Sequence, residues 1–136
     1  MLSDEYKKDV IANAKKLFHK PGVNSSDWDK VKPELLILID YVISHCETYN
    51  LPLTITSIIR PKIKGISKSV THQEGRAFDI SVRGWSHEDI RFLVDNINEK
   101  FTIGAISLKD GKEREAIYED GVNAGTAPHL HFQVGR

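Results

Sequence analysis

Pro128-His129-Leu130-His131-Phe132-Gln133-Val134 alternates apolar and polar residues along its whole length. Successive side chains on a strand point to opposite faces, so Leu130, Phe132 and Val134 share one face and His129, His131 and Gln133 the other. Ala77-Phe78-Asp79-Ile80-Ser81-Val82 reads the same way, with Phe78, Ile80 and Val82 toward a core and Ala77, Asp79 and Ser81 turned away. Two such strands call for a sheet with an apolar face that other elements must cover.

The covering layer is legible on either side of these stretches. Tyr6, Val10, Ile11, Ala14, Leu17 and Phe18 recur at helical spacing from residue 3 to about 19, with Ser3 as N-cap and Pro21-Gly22 as the stop. Residues 23–29 form a polar connector. A second helix starts near Lys32-Pro33 and carries Leu35, Leu36, Leu38, Ile39, Val42, Ile43 and Cys46, a dense apolar face, until Asn50 and Pro52 end it. A third runs from Ser86 to about residue 100, with Glu88 and Asp89 in its first turn and Ile90, Leu93, Val94 and Ile97 on its apolar face.

Further strands are expected at residues 53–59, 102–108 and 113–119, the last two joined by Lys109-Asp110-Gly111-Lys112, where Asp-Gly favours a hairpin. The basic stretch 60–69 is a loop. The predicted class is α+β: a small antiparallel sheet with about three helices, formed by a single domain over residues 1–136. Residues 1–30 supply the N-terminal helix and connector, and residues 31–136 the core.

Nineteen basic and nineteen acidic residues cancel, so no global field draws the chain to nucleic acid. Lone Cys46 excludes an internal disulfide, and neither a signal segment nor an apolar run long enough to span a bilayer is present. The expectation is a monomer made in a reducing cytoplasm without membrane insertion.

Chemistry concentrates in His72, Asp79 and the pair His129 and His131. If the strand carrying Asp79 lies near the last strand, Asp79 and His131 emerge on one open sheet face. Gly75 allows the turn that returns His72 to the same point. Imidazole and carboxylate are ligands for Zn2+, and three protein ligands leave a fourth position for water, as hydrolytic sites require. His19, His45 and His87 sit in helical contexts and read as surface or half-buried residues, and Trp28 and Trp85 as packing residues.

The run His72-Gln-Glu-Gly75-Arg-Ala77-Phe-Asp79, followed late in the chain by His129-Leu-His131, resembles the signature of zinc D,D-peptidases and L-alanyl-D-glutamate peptidases. These are cell-wall and phage endolysin enzymes whose fold is shared by the hedgehog signalling domain. Thr56-Ser57-Ile58-Ile59-Arg60 looks like the family's strand-end Ser-x-x-Arg, so the resemblance spans roughly residues 53–134. It implies His72, Asp79 and His131 as zinc ligands, His129 as a non-ligand histidine beside the metal, and Arg60 as the residue that positions substrate.

Two positions depart from the pattern. Val70 stands where the signature has serine, and Gly125-Thr-Ala-Pro128 carries no carboxylate where many members place a catalytic acid. The nearest upstream candidates are Glu119 and Asp120, which also read as a solvated turn with Gly121. In the implied mechanism Glu119 takes the water proton and passes it to the leaving amine. His129 donates to the oxyanion, or holds a ligand by a hydrogen bond. Arg60 grips a substrate carboxylate, or anchors its own loop to an internal acid.

Three function classes follow. The first is a peptidase cutting an amide bond of peptidoglycan stem peptides, either a D-Ala-D-Ala carboxypeptidase or an L-Ala-D-Glu endopeptidase. Small size and the missing signal segment fit a phage or prophage lysis enzyme that reaches the wall by release or export through other factors. The second is a catalytically inactive zinc-binding or peptide-binding module of the same fold, and the third a metal-free interaction domain.

Overall fold

In the computed structural model, which describes residues 2–17, 28–58, 75–101, 116–119 and 128–134, three α-helices accompany a four-stranded antiparallel sheet, an α+β fold as the patterning predicts. Helix α1 spans Asp4–Lys15, and the Ser3 hydroxyl accepts from the Tyr6 N–H at 3.1 Å. It ends about one turn short of the expected position 19. The Leu17 N–H donates to the Ala14 carbonyl at 3.0 Å, and the Leu17 carbonyl accepts from the Ile55 N–H at 2.8 Å. In a continued helix that carbonyl would look to residue 21, a proline with no N–H to give, so the strand backbone takes its place. The predicted stop at positions 21 and 22 lies outside the described residues.

Of the connector, residues 23–27 lie outside the described residues. Its end forms a 3₁₀ turn, Trp28–Lys30, with Trp28 buried in the core. Helix α2, Pro33–Thr48, has Pro33 in its first turn and buries Leu35, Leu36, Leu38, Ile39, Val42, Ile43, His45 and Cys46. It closes with Asn50 at φ 54°, a left-handed position asparagine tolerates, and the Leu51 N–H returning to the Cys46 carbonyl at 2.9 Å. Helix α3, His87–Lys100, opens with a reciprocal capping box: the Asp89 N–H donates to the Ser86 hydroxyl at 3.1 Å and the Ser86 N–H to the Asp89 carboxylate at 3.0 Å.

Strands β1 (Ile55–Ser57), β2 (Ala77–Ser81), β3 (Ala116–Glu119) and β4 (His129–Gln133) stand in the order β1-β2-β4-β3, every neighbour antiparallel. Strand β1 covers the middle of the predicted 53–59, of which position 59 lies outside the described residues, and a bulge interrupts its ladder: Ile55 pairs with Ile80 but Ser57 with Asp79, so two steps on β1 match one on β2. The expected strand at 102–108, the hairpin turn at 109–112 and residues 113–115 lie outside the described residues, as does the loop at 60–69.

One sheet face meets the helices. Phe78 and Phe132, paired in register, stack with ring centroids 4.7 Å apart, and Ile55, Ile80 and Leu130 join them in a core shared with Val10 and Ala14 of α1, the buried face of α2, and Ile90, Leu93 and Ile97 of α3. Tyr6 ties α1 to α2 by donating to the Asp40 carboxylate at 2.8 Å; burial and that acceptor push its phenol pKa up to about 12. Trp85 packs against the core and donates its indole N–H to the Pro52 carbonyl at 2.7 Å. Among the described residues no helix is long and apolar enough to cross a membrane.

His45 corrects the expectation of a surface or half-buried side chain, being only 6% exposed. Its ring packs 4.8 Å from Tyr49 and 5.5 Å from Phe92, two largely exposed aromatics that shield it. His87 is exposed as expected, and His19 lies outside the described residues. Burial lowers the His45 pKa from 6.5, with Asp89 opposing the shift and Lys100 adding to it. The unfolded chain therefore takes up this proton at a higher pH than the folded one. The stability from a neutral His45 is whole above 6.5 and is lost as pH falls through the depressed folded value. Denaturant unfolding from about pH 7 to about pH 5 should show a shallower loss of stability in His45→Gln than in the parent chain, and equal slopes would refute the linkage.

Candidate metal centre

Strands β2 and β4 pair residue for residue in the register that alternation requires: Ala77 with Gln133, Phe78 with Phe132, Asp79 with His131, Ile80 with Leu130 and Ser81 with His129. Because directly opposed residues share a face, the core pairs fall on one side and the Asp79–His131 pair on the other. The bulge in β1 adds Ser57 opposite Asp79, and β3 adds Ile117 opposite His131, so Ser57, Asp79, His131 and Ile117 form one row across the sheet. The next row carries Ser81 and His129, with position 119 in register with His129.

Within the first row the His131 Nδ1 lies 2.8 Å from Asp79 Oδ1, and from the next row His129 Nε2 stands 4.0 Å from Asp79 Oδ2. The second ring nitrogen of His131 is engaged too, its Nε2 lying 3.1 Å from Gln133 Oε1. The face is less open than parity alone suggests. Asp79 is 6% exposed, Gln133 4% and Ser57 9%, while the two histidines keep partial access to solvent. The Ser57 hydroxyl is buried without a hydrogen-bond partner among the described residues, a spare O–H donor in the register position beside the carboxylate.

Two glycine-linked contacts set the entry to β2. Gly75, at φ 69°, gives its carbonyl to the Lys32 N–H at 3.0 Å, and a Cβ there would lie 2.1 Å from the Lys30 carbonyl oxygen. Arg76 follows, buried, donating through Nη1 to the Val134 carbonyl at 2.9 Å while the Val134 N–H returns to the Arg76 carbonyl at 2.8 Å. The chain just before β2 is thereby tied both to the N-cap of α2 and to the end of β4.

Of the predicted site residues, Asp79, His129 and His131 are brought together. His72 and Arg60 lie outside the described residues, as does the side chain of Glu119, whose backbone is placed in β3. Among the described residues no three His, Cys, Asp or Glu side chains cluster closely enough to hold a metal. Cys46 stands apart, buried in α2, and burial pushes its thiol pKa up to about 12, which removes it as a nucleophile or ligand.

The two donors that meet, an imidazole nitrogen and a carboxylate oxygen, suit zinc in kind, but not yet in spacing. Two ligand atoms on a tetrahedral zinc stand about 3.3 Å apart, so Nδ1 and Oδ1 would have to separate by about half an ångström. Sequence reasoning placed Gln133 on the histidine face but gave it no role, and it named Ser57 without expecting it beside Asp79. Gln133 was readable from strand parity; Ser57 depends on a bulge that no alternation reveals. No family model, curated protein or solved structure matches this chain.

Proposed function

We propose that the chain is a zinc-dependent peptidase that hydrolyses an amide bond in peptidoglycan stem peptides, of the D-Ala-D-Ala carboxypeptidase or L-Ala-D-Glu endopeptidase type. The observation that carries this reading is the Asp79–His131 contact of 2.8 Å on the face opposite the core, with His129 beside it. Asp79 and His131, on adjacent strands, are two of the three ligands that the resemblance to the zinc peptidases implies, and His72 would complete the set.

Zinc bound there would supply Lewis acidity, polarising the scissile carbonyl and making water nucleophilic at neutral pH. The chain's own groups do the rest. Asp79 and His131 present their ligand atoms from two hydrogen-bonded strands, a rigid base for a site that must hold its geometry. His129, one strand repeat from His131 and 4.0 Å from the Asp79 carboxylate, is the candidate to donate a hydrogen bond to charge building on the substrate oxygen. Glu119, in register with His129 and so with its Cα about 5 Å away, is the candidate to accept the water proton and deliver it to the leaving amine. Arg60 is the candidate to bind a free carboxylate of the stem peptide.

The absence of a carboxylate at positions 125–128 favours a second reading, a module that binds zinc or stem peptide without turnover. Mass spectrometry of peptidoglycan fragments incubated with the zinc-loaded protein separates the two. Products whose masses name one cleaved amide, lost when a chelator is added, are the expected result. Intact fragments from a protein that carries one zinc would select the binding module, and intact fragments from a protein that takes up neither zinc nor stem peptide would refute both.

A further inference from the structure

We propose that Gln133 is a positioning residue that fixes the tautomer of His131, so that Nδ1 is the nitrogen presented beside Asp79. The inference rests on the zinc reading above and goes further, naming the residue that decides which ring nitrogen becomes the ligand.

The His131 ring lies between two oxygen atoms, Nδ1 at 2.8 Å from Asp79 Oδ1 and Nε2 at 3.1 Å from Gln133 Oε1. A neutral imidazole carries one N–H. If Nε2 holds it and donates to Gln133, Nδ1 turns its lone pair toward a carboxylate oxygen, and two acceptors at that distance attract only with a positive centre between them. In that tautomer a shared proton or a metal ion meets the need. In the opposite tautomer Nδ1–H donates to Asp79, the Gln133 amide is turned over, and the ring offers Nε2 instead.

Gln133 is suited to hold the first arrangement. It follows His131 by two residues on the same strand, one repeat along the same face, and is buried, so its amide does not compete with bulk water. Its register partner across the sheet is Ala77, whose lone methyl leaves the glutamine side chain room to lie along the strand toward the ring. Histidines that bind metals regularly give their second N–H to such an acceptor, and removing it weakens metal binding about 10- to 100-fold.

The test uses the full chain and reads zinc directly, by competition with a chromophoric chelator. Gln133→Leu keeps the volume and removes the acceptor, and is expected to bind zinc about 10- to 100-fold more weakly. Gln133→Glu keeps an acceptor in place and should bind at least as tightly as the parent. Nitrogen-15 NMR of the zinc-loaded parent chain, which needs no variant to fold, should find the His131 proton on Nε2. A proton on Nδ1, or parent-like affinity in a folded Gln133→Leu protein, overturns the proposal while leaving the zinc reading intact. A parent protein that takes up no zinc overturns both.

Discussion

His131→Ala is expected to lower zinc stoichiometry from one per chain to none and to bring peptide hydrolysis below detection, with the domain still folded. The substitution removes Nδ1, one of three proposed ligands, and with it the 2.8 Å contact that holds Asp79 Oδ1 in place. Both effects fall on the same site, so the loss should exceed that of any substitution at a residue that only touches a ligand. Folding survives because the apolar face of β4, Leu130, Phe132 and Val134, is untouched and still packs under the helices. Losing one hydrogen bond to a buried carboxylate costs about 1–3 kcal/mol, a fraction of a domain's usual stability. Atomic absorption on the purified variant measures the outcome, and one retained zinc per chain would sink the ligand assignment.

Gly75→Ala should be the most damaging single methyl added to this chain. At φ 69° the backbone is in the left-handed region, where a Cβ already costs about 1 kcal/mol or more. The larger penalty is steric: the new carbon would lie 2.1 Å from the Lys30 carbonyl oxygen and 2.8 Å from its carbon. These are backbone atoms, so relief requires moving the 3₁₀ turn or breaking the bond from the Lys32 N–H to the Gly75 carbonyl. A total above about 3 kcal/mol is expected, equivalent to a fall in Tm of roughly 10 °C for a domain of this size. Thermal unfolding followed by circular dichroism measures it. A Tm within about 2 °C of the parent would mean that Gly75 does not make this close approach.

Gly75 also shows why part of the site is legible in the sequence. Its position in the signature-like run suggested a turn, and the positive φ bears that out, but the neighbour that forbids a Cβ is the backbone of residue 30, forty-five positions earlier. The common face of Asp79 and His131 was legible because strand parity is strict: once Phe78 and Phe132 are assigned to the core, their neighbours must face away; that the two strands pair, and in this register, was not. Helices α2 and α3 were legible from apolar spacing and from proline and serine at their starts. What escaped were features set by distant partners. Ile55 draws the Leu17 carbonyl away from α1, a bulge moves Ser57 opposite Asp79, and Phe92 of α3 joins Tyr49, one turn along α2, in burying His45.

The burial of Cys46 deep in α2 gives the protein a built-in clock. A thiol reagent meets only a protonated, enclosed sulfur while the fold is closed, so labelling waits on the opening of α2: a reagent fast enough to beat reclosing reads the opening rate, and a slower one reads the open fraction. Because the molecule has one cysteine, each labelling event reports the same opening, and zinc that tightens the sheet without reaching α2 would leave its pace unchanged.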